Sequence, residues 1–146
     1  MISAFAVTLE ELIRFLKNER LSSSAAIAKA ITEFGTLNPK AAYLATITPV
    51  VLEQNVSEKF LLNYKRELIQ MTEQLGKIIH DRDGVSAKQA EVQFIASFNL
   101  FVGMWQHLNP PKKMLKLMEK HDLMSLQFFD FASTFRKMLD RIWQAK

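Results

Sequence analysis

Few side chains in this sequence could do chemistry, and three of them fall in one short block. Glu53, Asn55 and Lys65 lie among apolar residues in the segment LEQNVSEKFLLNYK. Burying a carboxylate, an amide or an ammonium without a partner is costly, so each must be paired or exposed. Two interpretations stay open. Either Glu53 and Lys65 form an ion pair while Asn55 caps a helix, or one or more of the three anchor a ligand.

Groups that serve enzymes are scarce elsewhere in the sequence. The absence of cysteine excludes thiol nucleophiles, thiolate metal ligands and disulfides. His80, His107 and His121 are far apart, and none has a second histidine or an acidic pair one helical turn away, so no metal site is expected. The sequence contains no glycine-rich phosphate loop and no nucleophile elbow. We therefore expect a protein that is not an enzyme and holds no cofactor.

The length of 146 residues is enough for one domain, and the net charge of +4 comes from 19 Lys and Arg against 15 Asp and Glu. Part of this excess is local, because Lys112, Lys113, Lys116 and Lys120 lie close together with only Glu119 opposing them. The segment has no arginine and no aromatic residue, so we interpret it as a solvated connection rather than a nucleic-acid surface. No stretch resembles a signal peptide or a membrane span. We expect a cytoplasmic protein with no membrane partner.

Helical periodicity runs through almost the whole chain, which predicts an all-α single domain of about six helices. We expect Gly35 to cap the second helix and Gly84 to end the fourth, since glycine readily adopts the left-handed conformation of a helix C-cap. Pro49 predicts a kink or an end in the third helix. The first helix has an alternative start near residue 9. The predicted helices cover about residues 2–18, 23–34, 38 to the region of Pro49, 55 or 57 to 80, 86–109 and 125–143.

The last two long helices are apolar around most of their circumference, which is unusual for helices that cover one face of a core. Because a domain of this size has little room for two interior helices, we expect each to bury a second face against another copy of the chain. This predicts a two-fold homodimer with a four-helix interface from residues 86–108 and 125–144. On the fifth helix the seam is predicted on the face that carries Gln93 and Ser97. The expected interface residues are Leu100, Met104, His107, Phe128, Phe131, Phe135, Met138 and Ile142.

Four aromatic rings follow one another at helical spacing on the fifth helix. Such a stripe lines ligand pockets as well as ordinary cores. Opposite it we place apolar side chains of the third and fourth helices, with Glu53, Asn55 and Lys65 as possible polar anchors. The candidate ligand-contacting residues are Tyr43, Ile47, Phe60, Tyr64, Phe94, Phe98, Phe101 and Trp105.

Several short motifs occur together in a fixed order: LEQNVSEKFLLNYK, then Gly103-Met104-Trp105, Pro110-Pro111 and Phe129-Asp130-Phe131. In this order the chain resembles the C-terminal domain of tetracycline-repressor-like (TetR family) transcriptional regulators over essentially its whole length. The resemblance implies a helical domain that dimerises through its last two long helices and holds a small-molecule pocket among the earlier ones. It also implies that residues 1–146 are the effector-binding and dimerisation domain alone. The family's three-helix DNA-binding head precedes this region, so DNA would be contacted only through that head.

The function expected from this resemblance is regulatory. A small, mostly apolar or aromatic effector would bind among the third, fourth and fifth helices and shift the first helix, which connects to the head. Two rival functions stay open: a structural dimerisation module with a filled core, and a helical carrier of a hydrophobic molecule. A filled core around Phe94, Phe98 and Tyr64 would favour the structural module, and a cavity there would favour the receptor.

Overall fold

The computed structural model describes residues 2–17, 20–47, 54–124 and 130–144. These ranges contain helices and no β-strand, so the predicted all-α class is confirmed. The lysine-rich connection forms a helix of its own, α6, which brings the number of described helices to seven. The helices are α1 (Ile2–Leu16), α2 (Ser23–Leu37), α3 (Pro39–Ile47), α4 (Glu58–Asp83), α5 (Ala87–Leu108), α6 (Lys112–Lys120) and α7 (Phe131–Gln144).

Side-chain caps fix several helix ends. Ser57 begins α4 by accepting a hydrogen bond from the backbone N–H of Phe60 at 3.3 Å. Ser57 therefore takes the capping role that one interpretation gave to Asn55. Gly84 ends α4 in the left-handed conformation, with φ of 72°, as predicted. Ser86 begins α5 by accepting from the backbone N–H of Gln89 at 3.1 Å.

The last described helix does not extend through residue 130. Asp130 is not helical, and its carboxylate accepts a hydrogen bond from the backbone N–H of Ser133 at 2.7 Å. This contact satisfies an N–H of the first turn that has no partner within the helix, so α7 begins at Phe131. The predicted start at residue 125 and the predicted kink at Pro49 lie outside the described residues.

Gly35 does not cap α2, contrary to the prediction. The helix continues to Leu37, and Asn38 ends it with its backbone N–H bonded to the carbonyl of Phe34. Gly35 is buried inside the helix, where an added Cβ would lie 3.1 Å from ring atoms of both Phe101 and Trp105. The glycine thus allows α2 to approach the aromatic rings of α5 closely.

The core is built around α2, in which ten of fifteen residues are buried. Alanines dominate this buried set, and their small side chains let neighbouring helices pack closely. Contacts join α2 to α1, α3, α5 and α7, while α4 packs against α1 and α5. None of the described helices is long and apolar enough to cross a bilayer.

Polar contacts tie four helices together at one end of the molecule. Ser24 Oγ donates to Asp140 Oδ1 of α7 at 2.8 Å, and Ser23 donates to Asp83 at the end of α4. Arg82 donates to the carbonyl of the last residue of α1. Both serines are largely buried, so these hydrogen bonds satisfy groups that would otherwise be costly in the interior. The end formed by α1, α2, α4 and α7 is therefore fixed by polar contacts as well as by packing.

Candidate functional site

Phe101 lies at the centre of a ring cluster inside one chain. Its side chain is fully buried, and its ring centroid is 5.7–6.2 Å from those of five aromatic neighbours. Phe94 is also buried in the core. Two of the four rings on the α5 stripe that were predicted to touch a ligand are thus packed against the protein itself. The neighbours of Phe101 are Phe34 of α2, Phe98 and Trp105 of α5, and Phe131 and Phe135 of α7.

Phe98 and Trp105 differ from the two buried rings because each is only half-buried. Each packs against the core while keeping part of its surface accessible. The aromatic stripe therefore divides into a structural pair, Phe94 and Phe101, and an accessible pair, Phe98 and Trp105.

The inner face of α4 carries one continuous apolar stripe, but only its second half is buried. Leu75 and Ile79 have no exposed surface. Leu61, Tyr64 and Leu68 continue the stripe at spacings of three and four residues, yet they are only half-buried and do not belong to the described core cluster.

The accessible parts of α4 and α5 lie opposite one another. The two helices are joined by the short turn 84–86 and pack together as an antiparallel pair. Gly76 lies against Ala87 and Glu91, and both helices rise about 1.5 Å per residue. Moving along both helices from this contact brings residues 61–68 opposite residues 98–105. We call Leu61, Tyr64, Leu68, Phe98 and Trp105 the α4–α5 apolar strip.

The candidate ligand-contacting residues of α3 and of the α4 start lie at the margin of this strip. Tyr43 and Phe60 are exposed, and Ile47 is half-buried. Gln106 of α5 donates a hydrogen bond to the carbonyl of Thr46 at 3.3 Å, which holds the end of α3 against α5. The structure thus brings Ile47 close to α5 and leaves the rings of Tyr43 and Phe60 largely in solvent.

The three possible polar anchors have different positions. Asn55 is exposed before α4, and Lys65 is half-buried on α4 with its Nζ 5.7 Å from the ring centroid of Tyr64. Glu53 lies outside the described residues, so its pairing with Lys65 stays a prediction. Lys65 therefore places a cation beside Tyr64 of the apolar strip. No group of three or more His, Asp or Glu in the described ranges could hold a metal ion.

The face of α5 predicted as the dimer seam packs largely against α7 of the same chain. Gln93 Nε2 donates to the carbonyl of Ile142 at 3.0 Å, and Trp143 Nε1 donates to Ser97 Oγ at 3.1 Å. Gln93 and Ser97 are buried by this contact. This half of the predicted seam is therefore an intrachain contact.

The predicted interface residues themselves fall into three groups. Phe135 is fully buried, and Phe131 stacks on it at a centroid distance of 5.4 Å, so both rings belong to the core of one chain. Leu100, Met104 and Ile142 are half-buried against the core. His107 and Met138 are exposed. Phe128 lies outside the described residues.

Sequence reasoning missed the apolar face that α5 exposes. Val92 is 56% exposed and Ile95 is 51% exposed, and Asn99 and Gly103 continue this outer face at helical spacing. A Cβ added at Gly103 would meet nothing within 4 Å. The signal was present in the sequence, because these positions lie on the side of the helix away from Ser97. This outer face could be recognised only once the structure showed that the Ser97 side of α5 faces the interior.

In fold, the chain is an all-α domain whose described residues form seven helices. A family model described as the tetracyclin repressor-like, C-terminal domain matches residues 3–144. The chain therefore belongs to the family of tetracycline repressor-like C-terminal domains. This family consists of regulatory domains of transcription regulators and is generally non-enzymatic. A search of curated proteins and a search of solved structures each gave no significant match.

Proposed function

We propose that the chain is the effector-binding and dimerisation domain of a cytoplasmic TetR-type transcriptional regulator and has no enzymatic activity. Its effector is small and mostly apolar or aromatic, and it binds on the α4–α5 apolar strip. DNA is bound by a separate head, whose affinity for its operator the effector controls. The observation that supports this proposal is the incomplete burial of Leu61, Tyr64 and Leu68 opposite the half-buried Phe98 and Trp105. A ligand that covers apolar side chains left partly in water lowers the free energy of the complex.

Coupling from the strip to a head would pass through α4 and α1. α4 packs against α1, and Arg82 at the end of α4 bonds to the last carbonyl of α1. An effector that prefers one position of α4 would therefore also favour one position of α1. Coupling free energies of about 1–3 kcal/mol are typical and change an affinity many-fold.

A structural dimerisation module is the second candidate function, because the ring cluster around Phe101 is well packed. Phe94 and Phe101 are both buried on their side of α5. The two functions predict opposite behaviour of the strip, since a structural module gains nothing from a molecule bound there. A carrier would bind a hydrophobic molecule without changing DNA affinity.

Thermal denaturation with a panel of aromatic and aliphatic compounds tests effector binding. We expect binding compounds to raise the melting temperature, and Leu68→Ala to weaken their binding about 10-fold, because the truncated side chain covers less apolar ligand surface. Ile69→Ala is the matched control, since Ile69 is the exposed neighbour of Leu68. A well-folded sample that no compound stabilises would favour the structural module. Equal effects of the two substitutions would place the binding site elsewhere.

Sedimentation equilibrium tests the proposed dimer through the outer face of α5. Val92 and Ile95 are exposed in the single chain, so Val92→Glu and Ile95→Glu should leave folding intact. Each introduces a charge that would be costly to bury between two copies. We therefore expect a higher dimer dissociation constant, or monomers only. Ile69→Glu on α4 is the control. Dimers that survive both α5 substitutions would place the interface on another surface.

A further inference from the structure

Helix α6 is the least covered helix of the described chain. None of its side chains is buried, and α6 makes no extensive packing contact with another described helix. Leu115 and Met118 are half-buried, whereas Met114 is 50% exposed and Leu117 is 44% exposed. Leu123, just after the helix, is 56% exposed. Large apolar side chains are normally covered, and this surface has no partner among the described residues.

Lysines and apolar side chains occupy separate sides of α6. At 100° per residue, Lys112, Lys113, Lys116 and Lys120 fall within a sector of about 100°. All four are exposed. Met114 and Leu117 come next around the helix, adjoining the lysines. The exposed surface is therefore half cationic and half apolar.

Helix stability does not account for this placement of charge. Lys112 and Lys113 lie in the first turn, where no side chain caps the helix and the helix dipole disfavours cations. Glu119 lies near the other end, where the dipole disfavours an anion. Only Lys120 is favourably placed. This arrangement of charges lowers the stability of the isolated helix. An anionic partner at the lysine face would make the same arrangement favourable.

We propose that α6 docks on an anionic phospholipid surface. The lysines contact the lipid phosphates, while Met114, Leu117 and Leu123 enter the boundary between headgroups and acyl chains. The phosphates of a nucleic acid would also attract the lysines, but its backbone has no apolar surface to cover the exposed methionine and leucines. The segment also has no arginine. The expectation of no membrane partner rested on the lack of a spanning segment, and a helix that lies on the surface needs none.

Glu119 and Asp122 partly offset the lysines, so one copy of α6 supplies a modest attraction. Each lysine near an anionic surface strengthens partition about five-fold. Two copies in a dimer would act together if both helices reach the same bilayer. The contact is thus reversible and sensitive to salt.

Vesicle co-sedimentation of the full chain tests this proposal. The probes are vesicles of phosphatidylcholine alone and vesicles with one third phosphatidylglycerol. We expect partition into the anionic vesicles only, weakened by high salt. The combined substitution Lys113→Gln, Lys116→Gln and Lys120→Gln should lower it about 100-fold. The combined substitution Lys40→Gln, Lys59→Gln and Lys77→Gln is the matched control, because it removes the same charge from exposed positions elsewhere.

A second pair of variants tests the apolar half of the surface. Leu117→Gln should lower partition about 10-fold, whereas Leu37→Gln, at another exposed leucine, should leave it unchanged. Circular dichroism and melting temperature verify that each variant is folded. Equal binding to neutral and anionic vesicles, or equal effects of the two lysine triples, would overturn the proposal. So would a chain that ignores vesicles but binds a short DNA duplex through the α6 lysines.

Discussion

The two halves of α4 carry the same apolar stripe in different surroundings. In the second half, Leu75 and Ile79 are fully buried. In the first half, Leu61, Tyr64 and Leu68 are only half-buried. One apolar stripe thus holds the fold at one end of the helix and remains partly accessible at the other. What differs is the number of helices that reach each end.

α4 and α5 approach each other closely at Gly76. A Cβ at this position would lie 2.8 Å from the backbone oxygen of Ala87 and 3.0 Å from a side-chain atom of Glu91. The same half of α4 bonds to α1 through Arg82 and to α2 through Asp83. The second half is therefore held by three helices, which leaves the first half as the part of α4 that a ligand can contact.

Removing one leucine from each half should separate these roles most clearly. We expect Leu75→Ala to lower the free energy of unfolding by about 2–5 kcal/mol, because it leaves a cavity in a fully packed region. Leu68→Ala should cost less than about 1.5 kcal/mol, since its side chain is already partly in water. Urea denaturation of both variants measures the difference. Equal losses of stability would mean that both halves of α4 are structural, which would contradict the proposed difference between them.

Two matched glycine substitutions test whether close approach at Gly76 sets the spacing of the helices. Gly76→Ala should destabilise the protein by about 1–3 kcal/mol, because the neighbouring backbone must move. Gly103→Ala should stabilise it by about 0.5–1 kcal/mol, because alanine favours the helix and its Cβ meets open space in the single chain. Urea midpoints measured at low protein concentration check both values. A stabilising Gly76→Ala would show that α4 and α5 can separate without cost.

Local signals in the sequence were enough for most of the helix ends. Gly84 acts as predicted and α5 begins at the predicted place, because a cap depends on the residue itself and a few neighbours. Gly35 was misread for the same reason. A glycine near the end of an apolar run fits a C-cap, but its use here is to admit the rings of Phe101 and Trp105, which lie far away in sequence.

The candidate site was less predictable than the fold, because burial depends on which helices meet. Periodicity placed Phe94, Phe98, Phe101 and Trp105 on one stripe, and the structure divides that stripe into buried and accessible pairs. The hydrogen bond from Ser24 to Asp140 joins residues 116 positions apart and carries no sequence signal. Facing partners of this kind emerge only from tertiary packing.

The fixed end of the molecule should also lose stability in acid, which is the smallest effect expected. Partial burial would raise the pKa of Asp140, but hydrogen bonds from Ser24 and Arg136 and the Arg136 charge outweigh it and lower the pKa. A carboxylate with a lowered folded-state pKa stabilises the fold above its ordinary pKa of about 3.9, and this contribution is lost as pH falls through the folded value. Because Asp140 is partly exposed, we expect less than about 1 kcal/mol.

Urea midpoints from neutral pH down to about pH 2.5, below the ordinary aspartate pKa, check this expectation. Asp140→Asn should be less stable than the parent chain near pH 7 and equally stable at the acid end, since protonation removes the same interaction. Ser24→Ala should reduce the acid sensitivity in part, because it deletes one of the hydrogen bonds that lower the pKa of Asp140. Parallel curves for the parent chain and Asp140→Asn would show that packing alone fixes this end of the molecule. The distinction between the two ends of α4 would then rest only on the buried side chains around Leu75 and Gly76.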